Sequence, residues 1–273
     1  MRYKDWKHIN RIELEYARSI KRLLDKVFKD FDYYDSTSQL DDYIHTDLFY
    51  ELTQKMAFHM ITGIRVDNMR NWREAASLST RGHDFYRELK RQMDGPIGNL
   101  IRTQLNNNAE LIRSQPIDIA RRITHYIQQE SIRGRRAEDI EQDLKQYIPN
   151  MTAYKAKLIA RTEVSKASTA LTHVQSIELG LRYYVWRTSE DGRVRDSHRK
   201  MDKVVVKWTD PPNPEKLFNE KYIYGNYHAG EIFNCRCYAS PIIDFNDLPD
   251  NFRYHSNGRI ILIRRSEFIK IAA

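Results

Sequence analysis

Ile177-Glu178-Leu179-Gly180-Leu181-Arg182-Tyr183-Tyr184-Val185-Trp186-Arg187 is where the chain changes its periodicity, and this stretch decides the fold class. On its N-terminal side Ile159, Val164, Leu171, Val174 and Ile177 keep the spacing of one helical face. That spacing predicts a long helix from a Thr152 cap to about Leu179, with Gly180 as a left-handed terminator. On its C-terminal side β-branched and aromatic residues dominate, and 182–187, 203–208 and 237–243 read as strands around an Asp210-Pro211-Pro212-Asn213-Pro214 loop. Asn257-Gly258, between Arg253-Tyr254-His255 and Ile260-Ile261-Leu262-Ile263, spells a hairpin.

Upstream the pattern is helical. Ile12, Tyr16, Ile20, Leu23, Val27 and Phe31 recur at three or four residues and share a face. Helices are also expected over 41–69, over 73–93 before an Asp94-Gly95-Pro96 stop, over 97–113, after an opening Pro116, and over 137–147. Tyr16, Phe28, Phe31, Phe49, Phe58 and Trp72 read as core residues of the resulting antiparallel bundle. The predicted fold class is α+β: a helical N-terminal domain over 1–130, a long helix and a small α+β domain with a short antiparallel sheet over 131–243, and a hairpin tail over 244–273. Residues 131–136 read as the hinge.

With 41% hydrophobic residues and 17 tyrosines in 273 residues, the chain has enough apolar surface to bury cores, which excludes wholesale disorder. The opening residues carry no apolar run of the kind that begins a secretory signal, and no segment reads as a membrane span, so no membrane partner is expected. The formal charge of +8 suits a polyanion such as non-specifically bound double-stranded DNA. Arg133, Arg135 and Arg136 are the densest basic run, with a solvated linker as the equal alternative reading. No phosphate-binding loop, dinucleotide fingerprint or nucleophile elbow is written here, and no small-molecule substrate is expected.

The chemistry concentrates in Asp191-Gly192-Arg193-Val194-Arg195-Asp196-Ser197-His198, His228-Ala229-Gly230 and Asn234-Cys235-Arg236-Cys237. His198, His228, Cys235 and Cys237 have the composition of one structural zinc site, although one residue between cysteines is closer than in common fingers. Two buried thiols with two hydrogen-bonded histidines are the alternative. A metal-dependent hydrolase or nuclease would need a base, for which Asp191, Asp196, Asp202 and Glu231 are the nominees; arginine pairing is their plainer use. Asp191-Gly192 reads as a tight turn using a positive φ at glycine. Arg193 and Arg195, alternating on an extended segment, are candidates for DNA or partner contact, or for clamping a carboxylate.

These pieces, in order, resemble the phage minor head protein family, also called the head morphogenesis or Mu F-like family. The residues that carry the resemblance are Ala160-Arg161-Thr162-Glu163, the Trp186 strand, Asp191, Arg193, Arg195, Asp196, His198, the His228 turn and Asn234-Cys235-Arg236-Cys237 before Pro241. It spans roughly 130 to 243 and marks Arg161, Glu163, Asp191, Asp196 and Asn234 as structural signature positions, with Arg161 and Glu163 expected to brace the 191–198 loop. It implies a non-enzymatic capsid component that meets the portal protein and other head proteins. Such a protein assembles in the host cytoplasm, comes to lie inside the virion head and assists DNA packaging and ejection. Two positions depart from the family pattern: Ala229 where proline is usual, and Lys203 where glycine commonly follows Met-Asp.

Overall fold

The computed structural model describes residues 6–7, 9–29, 37–78, 84, 87–89 and 95–272. The helices are α1 (Asn10–Lys29), α2 (Thr37–Ile44), α3 (Asp47–Leu78), α4 (Pro96–Ile132) and α5 (Ala137–Glu178). Then come β1 (Tyr183–Arg187), α6 (Asp196–Met201), β2 (Val205–Lys207), α7 (Pro214–Leu217), β3 (Tyr238–Pro241), β4 (Asn251–Ser256), β5 (Arg259–Arg264) and α8 (Arg265–Ala272). The fold is α+β, as the sequence predicts. Two compact units interleave along the chain, one drawn from 10–62 and 102–160, the other from 1–9, 63–101 and 161–273. Their borders therefore fall inside long helices and not near residues 130 or 243.

In the all-helical unit α1 buries Ile12, Tyr16, Ala17, Ile20, Leu23, Leu24 and Phe28, the stripe its periodicity foretells. Phe31 lies outside the described residues. Tyr16 donates to Asn108 Oδ1 at 3.3 Å, and Thr152 to Asp25 Oδ1 at 2.9 Å. Tyr126 meets Asp143 (2.8 Å) and Asp118 meets Lys155 (2.5 Å); partners that step down α4 as they step up α5 make these helices antiparallel. Arg135 bridges Glu130 and Asp143 at 3.0 and 2.6 Å.

The helix boundaries need correction. The segment expected over 41–69 breaks at 45–46, where Thr46 Oγ1 accepts the Phe49 N–H at 3.3 Å, a cap at the start of α3. No break follows at 69–73, since α3 runs to Leu78; the Asp94 stop falls outside the described residues. Pro116 and Pro149 sit inside α4 and α5. A proline there forfeits one backbone bond, but Ile112, Ile119, Ala120 and Ile123 are fully buried around the first, and packing keeps the helix whole. Thr152 is consequently mid-helix and caps nothing. Phe58, expected in the core, is 55% exposed.

In the second unit α5 ends as predicted. Gly180 has φ +71, and Leu181 N–H reaches Ser176 O while Gly180 N–H reaches Ile177 O, the paired bonds of a Schellman cap. The strands form one sheet in the order β3-β1-β2-β4-β5. It is mixed and not purely antiparallel, because β2 and β4 run parallel at Val205 and Tyr254. The hairpin at Asn257-Gly258 is as expected, with Ser256 opposite Arg259, and it belongs to this sheet. Alternation along β1 sends Tyr184 and Trp186 to one core and Tyr183 and Val185 to the other, so both faces are covered.

Two backbone positions are decisive near the site. Gly230 has φ +95, and a Cβ there would collide with Thr169 Oγ1 and crowd Ser165 Oγ and Cys237 O at 3.0 Å. Lys203 has φ +64, a left-handed conformation that disfavours a side chain and accounts for glycine being usual there. Gly230→Ala is expected to cost roughly 2–4 kcal/mol, while Gly192→Ala, with open space around it, stays within about 0.5 kcal/mol; denaturant midpoints decide. On the same measurement Lys203→Gly gains about 0.5–1 kcal/mol and Lys203→Val loses stability.

Candidate functional site

His198 stands on the short helix α6, with Cys235 and Cys237 on the segment that enters β3. Their ligand atoms lie within 4.8 Å of one another, and all three residues are buried. Nδ1 of His198 is 3.5 Å from Cys235 Sγ and 3.4 Å from Cys237 Sγ. A tetrahedral zinc with ordinary Zn–S and Zn–N bonds separates sulfur from nitrogen by about 3.6 Å, so the donor set fits the metal in kind and spacing.

The other side of the ring fixes its tautomer. His198 Nε2 is 2.8 Å from Tyr227 OH, which donates to Glu215 Oε1 at 2.5 Å. With its proton directed at the carboxylate, the phenol accepts from Nε2–H, leaving the Nδ1 lone pair facing the two sulfurs. Burial first, and then Glu215, push the Tyr227 pKa up, so the phenol keeps its proton. The Cys237 hydrogen bond, opposed by burial and aided by His198, draws the Cys235 thiol well below its ordinary pKa. Burial and the neighbouring Cys235 push Cys237 well above it. Of the two free cysteines, Cys235 loses its proton readily and Cys237 keeps its own; a soft divalent metal would bind both as thiolates.

His228 is not part of this group. Its Nδ1 lies 3.1 Å from Tyr184 OH, and its ring packs edge-on against Trp208 and His173, both at 5.1 Å. The nominated carboxylates are engaged elsewhere: Asp202 Oδ1 accepts Thr188 N–H at 3.0 Å, and Glu231 Oε2 accepts His228 N–H at 2.6 Å. Asp196 pairs with Arg199, and Asp191 with Arg236. Asp191 also takes the Arg193 N–H at 2.9 Å. The turn spans Asp191–Val194, but the positive φ falls on Glu190 just before it and not on Gly192.

The loop carrying the cysteines is braced from α5. Asn234, itself left-handed at φ 53, donates its N–H to Thr162 Oγ1 at 2.9 Å and accepts a hydrogen bond from Arg161 on its Oδ1 at 3.0 Å. Arg161 and Thr162 thus brace the 229–237 loop, and Glu163 meets Lys166 at 3.4 Å. Thr169 Oγ1 adds a bond to Ala229 O at 2.8 Å. Arg193 is exposed in a turn. Arg195 precedes α6, where it bonds Phe233 O at 3.0 Å and lies over the Phe233 ring at 4.8 Å; the two do not alternate on an extended segment. Of the basic run in the helical unit, Arg133 and Arg135 are held by Glu130 at 2.6 and 3.0 Å, while Arg136 is exposed. Tyr227 and Glu215 are functional residues that the sequence reading missed.

Residues 121–240 match the family model described as Phage Mu protein F like protein. An uncharacterized protein of Haemophilus influenzae is 32% identical over 136 residues, covering 50% of this chain and 27% of the relative. The chain thus spans about a quarter of that relative's length. No solved structure matches. Among the described residues no helix is long and apolar enough to cross a membrane.

Burial lowers the His228 pKa to about 4, against its ordinary 6.5. The unfolded chain then binds the extra proton first, so stability is present above pH 6.5 and is lost as pH falls toward 4. The loss at this site is expected to reach roughly 3 kcal/mol. Denaturant titrations at stepped pH should show this slope, and His228→Gln should flatten it.

Proposed function

We propose that this chain serves as a minor head protein of a tailed phage or prophage, docking on the portal protein and other head proteins and assisting DNA packaging and ejection. The match of 121–240 to the Mu F-like family carries the reading. In it the site is structural: His198, Cys235 and Cys237 hold one zinc, which joins α6 to the start of β3 and supplies the stapling a loop-rich module needs. The protein assembles in the host cytoplasm and ends inside the virion head.

Duplex DNA is a non-specific contact in this reading. Exposed Arg136 and Arg193 are its best-placed cations, since Arg133 and Arg135 already face carboxylates. Such binding should weaken steeply with salt. A metal-dependent nuclease is the second reading, favoured by one observation: three protein ligands leave a fourth corner of a tetrahedron, as catalytic zinc sites do. Against it, Asp191, Asp196, Asp202 and Glu231 are spent on other partners.

Metal analysis of the purified protein should find one zinc per chain, retained in His228→Gln and lost in Cys235→Ser/Cys237→Ser, with a melting temperature lower by roughly 10 °C in the double variant. On a sizing column the zinc-loaded protein should co-elute with portal protein. Chelator-sensitive cleavage of duplex DNA that disappears in His198→Gln would replace this reading with the nuclease.

A further inference from the structure

Strand β5 ends the sheet. Among the described residues it pairs only with β4, in a two-residue hairpin whose first pair is Ser256 and Arg259. In such a ladder Arg259, Ile261 and Ile263 bond inward to β4, leaving the N–H and C=O groups of Ile260 and Leu262 on the outer edge. The Arg264 N–H, next in that alternation, indeed turns away from β4 to Glu267 Oε2 at 3.4 Å. Helix α8 packs Phe268 into the core on one face of the sheet. Leu262 is 75% exposed and Ile261 44%, although edge strands usually carry polar protection.

A cavity of about 750 Å³ opens at the start of this edge, between the hairpin and the 210–218 segment. His255, only 1% exposed, lines it, and neither ring nitrogen has a hydrogen-bond partner among the described residues. Asp210 Oδ2 lies 3.4 Å from Nδ1 but is occupied by the Asn257 N–H at 2.9 Å. A buried imidazole carries at least one N–H that must be satisfied. Lys216 and Arg259 also line the cavity, and neither pairs with a carboxylate among the described residues. Phe218 and Ile260 supply apolar wall.

We propose that the outer edge of β5 and this cavity form a docking groove for an extended segment of a partner protein, alternating acidic and apolar residues, which adds to the sheet beyond β5. Its backbone takes the free groups of Ile260 and Leu262. His255, Ile260 and Leu262 share one face of the hairpin, so side chains of one parity point that way: a carboxylate enters the cavity toward His255, Lys216 and Arg259, and an apolar residue covers Leu262. A phosphate backbone would satisfy the cations but would leave Leu262 and the edge amides uncovered, so peptide is the occupant. The inference rests on this sheet alone and holds whether or not the head-assembly reading does.

The test is fluorescence polarisation with two labelled short peptides, one alternating Glu and Val, the other Lys and Val, with a duplex oligonucleotide as competitor. The acidic peptide should saturate, the lysine peptide should bind at least about tenfold more weakly, and Lys216→Glu/Arg259→Glu should invert that order. Leu262→Pro removes an outward N–H at a position where an edge strand tolerates proline, and it should abolish binding with the melting temperature little changed. In the unmodified protein the acidic peptide should slow amide exchange at Ile260 and Leu262, a readout independent of how the variants fold. No binding of the acidic peptide, equal binding of both peptides, displacement by the oligonucleotide with no amide protection, or binding that survives in folded Leu262→Pro would overturn the proposal.

Discussion

The imidazole of His198, fixed between two sulfurs and a phenol, is the constraint on which the C-terminal module depends. Nδ1 faces Cys235 and Cys237 at 3.5 and 3.4 Å while Nε2 is bonded through Tyr227 to Glu215. Three separate pieces of chain meet there: α6, the α7 start and the loop before β3. None of them is long enough to be stable alone, since a helix of four to six residues is far below the length at which helices persist in water. The polar relay orients a ring that hydrophobic packing alone would leave free to rotate.

Around that centre the long helix α5 works as a rail. Thr162, Arg161 and Thr169 each take a backbone or side-chain group of the 229–237 loop, and the absence of a side chain at Gly230 lets that loop lie directly on Ser165 and Thr169. The cysteines are thereby presented to His198 by backbone held in place on both sides. The sheet below contributes Trp186, Tyr184 and Val206 to the same apolar cluster as the cysteines, which keeps water from competing for the donor atoms.

The sequence made legible what depends on local spacing. The switch at Gly180, the Asn257-Gly258 hairpin, the α1 stripe and the Cys-x-Cys pair all follow from neighbours within a few residues. What needed the third dimension was misread for identifiable reasons. His228 has the right chemistry, but a ring's direction is set by Tyr184, Trp208 and His173, none of which its local sequence specifies. Pro116 and Thr152 carry strong local signals for helix starts that burial of neighbouring isoleucines and a bond to Asp25 overrule. Tyr227 and Glu215 offered no motif, because a buried tyrosine beside a glutamate twelve residues away is ordinary in sequence and meaningful only in contact. Asn234 and Lys203 carried a readable hint: both stand at left-handed positions, one a residue type that accepts that conformation and the other a departure from the family's glycine.

In the proposed reading His198, Cys235 and Cys237 are the inner shell of one zinc. Zinc-edge X-ray absorption on the purified protein is the deciding measurement, because it counts the atoms bound to the metal. Two sulfurs at about 2.3 Å and an imidazole nitrogen at about 2.0 Å are expected. A shell of oxygen and nitrogen alone, with no sulfur, would contradict that reading.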